Sequence, residues 1–143
     1  MTEFTDEVIE FLSAGTRTGT LGYLAADDRP LVAPVWFIVD NGELVFNNGR
    51  NTAKGRALAW DSRAVMCVDD PHPPYSFVQV QGVASTTEDA SDLLDVATGI
   101  GGRYTGWHRA REFGRRNAAP GELVVRVRPT KVIAEFNITG PTP

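Results

Sequence analysis

RPLVAPVWFIVDNGELVFNNGRNTAKGRAL, residues 29–58, carries the pattern on which the fold turns. Leu31 to Val39 is apolar and rich in β-branched residues, which predicts a strand. Asp40, Asn41 and Gly42 supply the positive backbone angles of a tight hairpin turn, and ELVFN returns as the next strand. Pro34 has no N–H for a ladder bond, so it marks an edge or an interruption of the sheet. Upstream, Leu21, Tyr23 and Ala25 alternate with small residues and the turn DDRP follows. The three runs together predict an antiparallel meander. Beyond the second hairpin strand, a Gly/Asn turn carrying Arg50, Lys54 and Arg56 leads into two helical turns, Ala53 to Trp60.

The rest of the chain extends this pattern. Thr5 is placed to cap a short amphipathic helix over residues 5–13, with Val8, Ile9, Phe11 and Leu12 on one stripe and Gly15 ending it. SRAVMCVDD and YSFVQVQGVAST read as two more strands. In the second, Ser76, Val78, Val80, Gly82 and Ala84 share a small apolar face suited to the inside of a narrow barrel, while Phe77, Gln79, Gln81 and Val83 share the other. Residues 88–98 and 104–117 have helical patterns, and Pro120 to Phe136 closes the chain as a strand alternating Val with Arg. The predicted class is mainly β: one domain, 1–143, a small antiparallel barrel of about residues 18–136 decorated with helices.

Composition narrows the function classes. The chain has 143 residues, of which 42% are hydrophobic and 22% charged, enough for one core. No apolar run is long enough for a membrane span, and the acidic N-terminus is unlike a secretory signal, so a cytoplasmic protein with no membrane partner is expected. Cys67 is the only cysteine and lies in the apolar run AVMCV, which predicts a small buried thiol. With two separated histidines besides, no metal site is expected. Net charge is −4, with eleven acids and six basic residues in positions 1–72. Between Arg103 and Arg116, by contrast, stand five arginines and one acid. A nucleic-acid binder would usually be basic throughout, so no nucleic-acid partner is expected; the strip suits a discrete anionic ligand or a solvated helix face.

The basic turn holds the sharpest motif. Asn51 or Thr52 can cap the short helix, whose first N–H groups favour anions. Lys54 in that first turn is electrostatically misplaced unless something negative binds beside it. GRNTAKG lacks the glycine and hydroxyl of a Walker loop, and GIGGRYTG, residues 99–106, fails the dinucleotide fingerprint at Tyr104, reading instead as a turn between helices. His72 and His108 have no nucleophile or carboxylate partner by motif, so no side chain is assigned as catalytic and a cofactor would carry the chemistry. Trp36, Phe37, Tyr75 and Phe77 stand beside strand breaks, as core packing or as flat walls for a ring system.

Taken in order, the 29–58 stretch, SRAVMCVDD, YSFVQVQGVA, RYTG and PGELVVRVRPTKVIA resemble the pyridoxamine 5′-phosphate oxidase-like split β-barrel superfamily, and within it the branch of oxidoreductases that use the deazaflavin coenzyme F420. The resemblance implies a homodimeric, FMN-binding-like split barrel that transfers a hydride between F420 and a small organic acceptor. It implies that Thr52 and Lys54 hold the cofactor phosphate, with Asn47, Asn48, Gly49, Arg50 and Ala53 around them. Pro34, Val35 and Trp36 would lie along the ring system. Tyr75, Phe77 and Gln79 would come from the partner subunit, and Arg103, heading the arginine strip, would meet the cofactor's acidic tail. FMN is the alternative cofactor, and a non-catalytic flavin- or haem-binding protein the alternative function. The C-terminal Arg and His pair of the phosphate oxidases is missing from FNITGPTP, so oxidation of pyridoxamine phosphate is not expected.

Overall fold

The computed structural model describes residues 1–141. Its elements are α1 (Asp6–Ser13), β1 (Gly19–Leu24), β2 (Pro30–Val35), β3 (Ile38–Asp40), β4 (Glu43–Gly49), α2 (Ala53–Trp60), β5 (Arg63–Asp70), β6 (Ser76–Thr87), α3 (Ala90–Thr105), a 3-10 turn (Trp107–Arg109), α4 (Ala110–Asn117) and β7 (Glu122–Glu135). The seven strands form one antiparallel sheet in the order β2-β1-β5-β6-β7-β4-β3. Its inward faces share one core in which Leu21, Phe37, Phe46, Met66, Val80 and Val125 are almost fully buried. Each such side chain contributes roughly 1.5–3 kcal/mol by leaving water. This is the mainly β architecture that the strand pattern predicts, in the split-barrel form that the resemblance implies. None of its helices is long and apolar enough to cross a membrane among the described residues.

The predicted Leu31–Val39 strand is two strands. Pro34 itself stays in β2, opposite Thr20, because β2 is an edge strand with a neighbour on one side only. The chain breaks instead at Trp36 and Phe37, and β3 resumes at the other end of the sheet, against β4. The expected meander is therefore divided: its two antiparallel pairs form, β1 with β2 and β3 with β4, but they lie at opposite edges of the sheet, and the other neighbour of β4 is β7. The turn itself is as predicted, with Asn41 at φ 52 and Gly42 at φ 76 joining β3 to β4.

The alternation along β6 holds, Val78, Val80, Gly82 and Ala84 being buried. Gly82 sits at a register shift where a Cβ would stand 2.7 Å from the Val127 side chain, so only glycine lets β7 cross so closely. The same alternation corrects Cys67. Ala64, Met66 and Val68 point inward, which turns Cys67 to the outer face, half-buried rather than buried. Partial burial, with Asp69 nearby, pushes its thiol pKa up, away from a reactive thiolate.

The helical region also differs. The glycines of GIGGRYT do not form a turn: α3 runs continuously to Thr105, and the break falls at Gly106, φ 96. The reason lies in packing. A Cβ on Gly101 would stand 2.8 Å from Phe113, and one on Gly102 would run into the Trp107 ring. Glycine there admits two aromatic groups against the helix, which outweighs its helix penalty of about 1 kcal/mol.

Candidate functional site

The Gly/Asn turn is rigidly built. Thr52, rather than Asn51, caps α2: its Oγ1 accepts from Gly55 N at 3.1 Å. The same hydroxyl donates to the Gly49 carbonyl at 2.7 Å and accepts from Asn48 Nδ2 at 2.8 Å. Asn48 is the one buried polar side chain among the described residues, and this network is what satisfies it. Gly55 is required because α2 rests on the turn before it: a Cβ would meet the Arg50 carbonyl at 2.8 Å and the Gly49 carbonyl closer still. The glycine that weakens a short helix by propensity is what lets that helix sit down on β4.

Capped and seated in this way, α2 carries Lys54 to a cleft of about 370 Å³ lined also by Thr18, Pro34, Val35, Trp36, Asn47, Ile100 and Phe113. Lys54 is half-buried, and no hydrogen bond or ion pair occupies its ammonium group among the described residues. One wall is aromatic. Trp36, 45% exposed, stacks on Tyr104 with centroids 4.7 Å apart and planes 2° from parallel, and lies 6.2 Å from Phe113. Tyr104 is itself fixed, its hydroxyl donating to the Arg17 carbonyl at 2.7 Å and accepting from Phe37 N at 3.3 Å. Burial pushes the Tyr104 pKa up, keeping it a neutral hydrogen-bonding phenol. Asn47 donates to the Asn117 carbonyl at 3.1 Å, tying β4 to the end of α4 and leaving its side-chain oxygen as an acceptor. The cleft thus pairs a flat apolar shelf with a single cation and a few neutral polar groups.

Of the residues singled out in the sequence, Pro34, Val35, Trp36, Asn47 and Lys54 come together here. Asn48, Gly49, Thr52 and Ala53 form the seat of Lys54 and its capping network. Arg50 is directed elsewhere: it pairs with Glu88 at 2.6 Å and, with Arg56 and Trp60, borders a separate groove. Arg56 closes on the Asn51 carbonyl.

Arg103 is not at the cleft. Its guanidinium donates to the carbonyls of Gly15 (3.0 Å), Phe37 (2.7 Å), Leu12 (2.7 Å) and Ala14 (3.4 Å) and lies over the Phe37 and Tyr104 rings. Burial lowers its pKa. It is a clamp between α1, the β2–β3 break and α3, separate from the exposed Arg109, Arg111, Arg115 and Arg116. Tyr75, Phe77 and Gln79 do not line the cleft of their own chain. Tyr75 is 42% exposed at φ 61, an unusual angle for a bulky residue, and is held there by Ile138 N on its carbonyl (2.9 Å) and its own N–H on His72 O (2.8 Å). Neither histidine reaches the cleft; His72 turns back on Asp70 at 2.9 Å.

Thr18, Ile100, Phe113 and the supporting Tyr104 were not foreseen as site residues. Helical periodicity marks Ile100 and Phe113 as apolar positions, but only the fold brings α3 and α4 against the β2–β3 break.

A family model described as pyridoxamine 5′-phosphate oxidase matches residues 4–135. Comparison with curated proteins gives no match. Among solved structures, a conserved hypothetical protein from Mycobacterium tuberculosis superposes with a TM-score of 0.83 at 21% identity, over 99% of this chain and 92% of its own. An F420 reductase superposes with a TM-score of 0.69 at 24% identity, over 87% and 94% of the two chains. A haem storage protein from Vibrio cholerae gives 0.70 at 16% identity, over 92% and 94%. At these identities the likeness to the solved structures is one of fold.

Proposed function

The chain belongs to the pyridoxamine 5′-phosphate oxidase family, and on that premise we propose that it is a homodimeric oxidoreductase whose cleft binds the deazaflavin F420 for hydride transfer with a small organic acceptor. One observation carries the reading: the unpartnered, half-buried Lys54 ammonium opens α2 at one side of a cleft whose other side is the Trp36 shelf. A lone cation in the first turn of a helix is unfavourable by itself and favourable with an anion bound beside it. The aromatic shelf beside it suits a planar ring system. When bound, the deazaflavin supplies the hydride. The chain's own residues then have the tasks of holding and orienting: Lys54 neutralises the phosphate, Trp36 and Val35 fix the ring plane, and Asn47 offers an acceptor to a ring or ribityl donor.

The homodimer is proposed from the outer face of the sheet. Val32 (72% exposed) and Val83 (36% exposed) border a groove of about 650 Å³ there with Leu31, Val65 and Gln81. A second copy on this face would cover it and bring Tyr75, Phe77 and Gln79 to the opposite cleft. Sedimentation of the purified chain tests this part, and a monomer at tens of micromolar refutes it.

Titration of F420 and of FMN into purified apoprotein tests the site. F420 is expected to bind, and Lys54→Ala to weaken it by about 10- to 100-fold with the fold retained, since a charge-assisted contact of about 1.5–3 kcal/mol is lost. Oxidation of the reduced cofactor with a panel of quinones, nitroaromatics and tetrapyrroles then separates an enzyme from a carrier. Binding without turnover of any acceptor would favour the carrier.

A further inference from the structure

The basic turn carries Arg50, Lys54 and Arg56, yet the structure divides them. Lys54 alone lines the cleft, while Arg50 is neutralised by Glu88 and Arg56 folds onto its own turn. The polar side chains of the turn and the nearest further cation are already committed: the Thr52 hydroxyl and the Asn48 amide satisfy each other and the cap, and Arg103 is taken by four carbonyls, so the donors left at the cleft besides Lys54 are neutral. Among the described residues, the cleft therefore presents one unit of positive charge.

From this count we infer that the anion end of the cleft selects a phosphodiester, which carries one negative charge, over a phosphomonoester. The inference rests on the cleft being the cofactor site. A monoester is close to a dianion at neutral pH, its second proton leaving near pH 6. Removing an ion from water costs in proportion to the square of its charge, whereas attraction to a single cation grows only in proportion to the charge. One half-buried ammonium thus balances a monoanion, and leaves a dianion with a desolvation cost that it does not offset. A site for a monoester needs a second cation, and Arg50 and Arg56 do not supply it here.

The test uses one ring system with two ends: the deazaflavin riboside 5′-phosphate and its 5′-methyl phosphodiester, titrated into the wild-type protein at pH 8.0 and pH 5.5, with the phosphate-free riboside as reference. The expected result at pH 8.0 is a diester bound about tenfold or more tightly than the monoester. On acidification the monoester should gain most of that factor as it takes up its proton, while the diester's Kd stays constant. Lys54→Ala should abolish the diester's advantage over the bare riboside, both measured in the same variant. A monoester bound as tightly as the diester at pH 8.0, or a diester advantage that survives in Lys54→Ala, overturns the charge match while leaving the cofactor reading in place. No binding of any of the three at 1 mM overturns both.

Discussion

Arg103→Met removes the guanidinium that lies over Phe37 and Tyr104 and keeps an apolar stem of similar length, so it isolates the polar clamp. Three donor–acceptor distances of 2.7–3.0 Å and a fourth of 3.4 Å are lost. Taken at about 1 kcal/mol net each for the three short bonds, with about 0.5–1 kcal/mol for the cation over the rings, the loss is roughly 3–4 kcal/mol. Two effects reduce it. The carbonyls of Leu12, Ala14 and Gly15 lie at the end of α1, where water can reach some of them, and the half-buried guanidinium itself pays a desolvation penalty, which also lowers its pKa. About 2–3 kcal/mol should remain. With a urea m-value of about 2 kcal/mol per molar for a chain of this size, the unfolding midpoint should fall by about 1–1.5 M with m unchanged. Arg103→Lys tests the geometry: its compact ammonium keeps the charge but cannot span α1 and Phe37 together, so it should recover less than half of the loss. A midpoint shift under about 0.25 M for the methionine variant, or full recovery by lysine, would refute the clamp.

Other outcomes follow from neighbouring features. Gly55→Ala should destabilise by about 1–3 kcal/mol in urea despite alanine's better helix propensity, because its Cβ meets the Arg50 and Gly49 carbonyls; a gain in stability would show that α2 can slide off its seat. Thr52→Val should cost about 1–3 kcal/mol, through loss of the cap and of the shorter of the two Asn48 amide bonds, and Thr52→Ser should restore most of it by the same unfolding measurement. Asp61 is held at a pKa of about 2, below its ordinary 3.8, chiefly by the Arg63 side chain and then by the Arg63 N–H. A depressed carboxylate stabilises fully above its ordinary value and ceases to as pH falls through the folded one. Asp61→Asn should therefore flatten stability against pH between about 4 and 2, and an acid limb parallel to wild type would disprove the assignment.

Much of this was legible locally. The Thr5 cap, the Asn41-Gly42 turn, the inward face of β6 and a cation in the first turn of α2 each depend on residues within a few positions of one another. What the sequence hid depends on distant partners. Nothing near Trp36 says that the strand before it and the strand after it belong to opposite edges, since that is settled by pairing with β1 and β4. Arginine is usually a surface residue, and Arg103 turns inward only because carbonyls from residues 12–37 converge on it. The Gly99–Gly102 run suggests a turn until Phe113 and Trp107 occupy the space that side chains would fill. Cys67 is a different case: its outward direction was present in the alternation with Met66 and Val68, and the apolar character of the run obscured it.

The junction between β2 and β3 has a mechanical consequence. Trp36 faces the cleft and the next residue, Phe37, is completely enclosed, with its N–H on Tyr104 and its carbonyl on Arg103. A single peptide link thus ties the wall of the cleft to the middle of the protein, and moving the backbone at Trp36 would require uprooting Phe37. The pocket is pre-shaped, so a guest loses little affinity to organising its host.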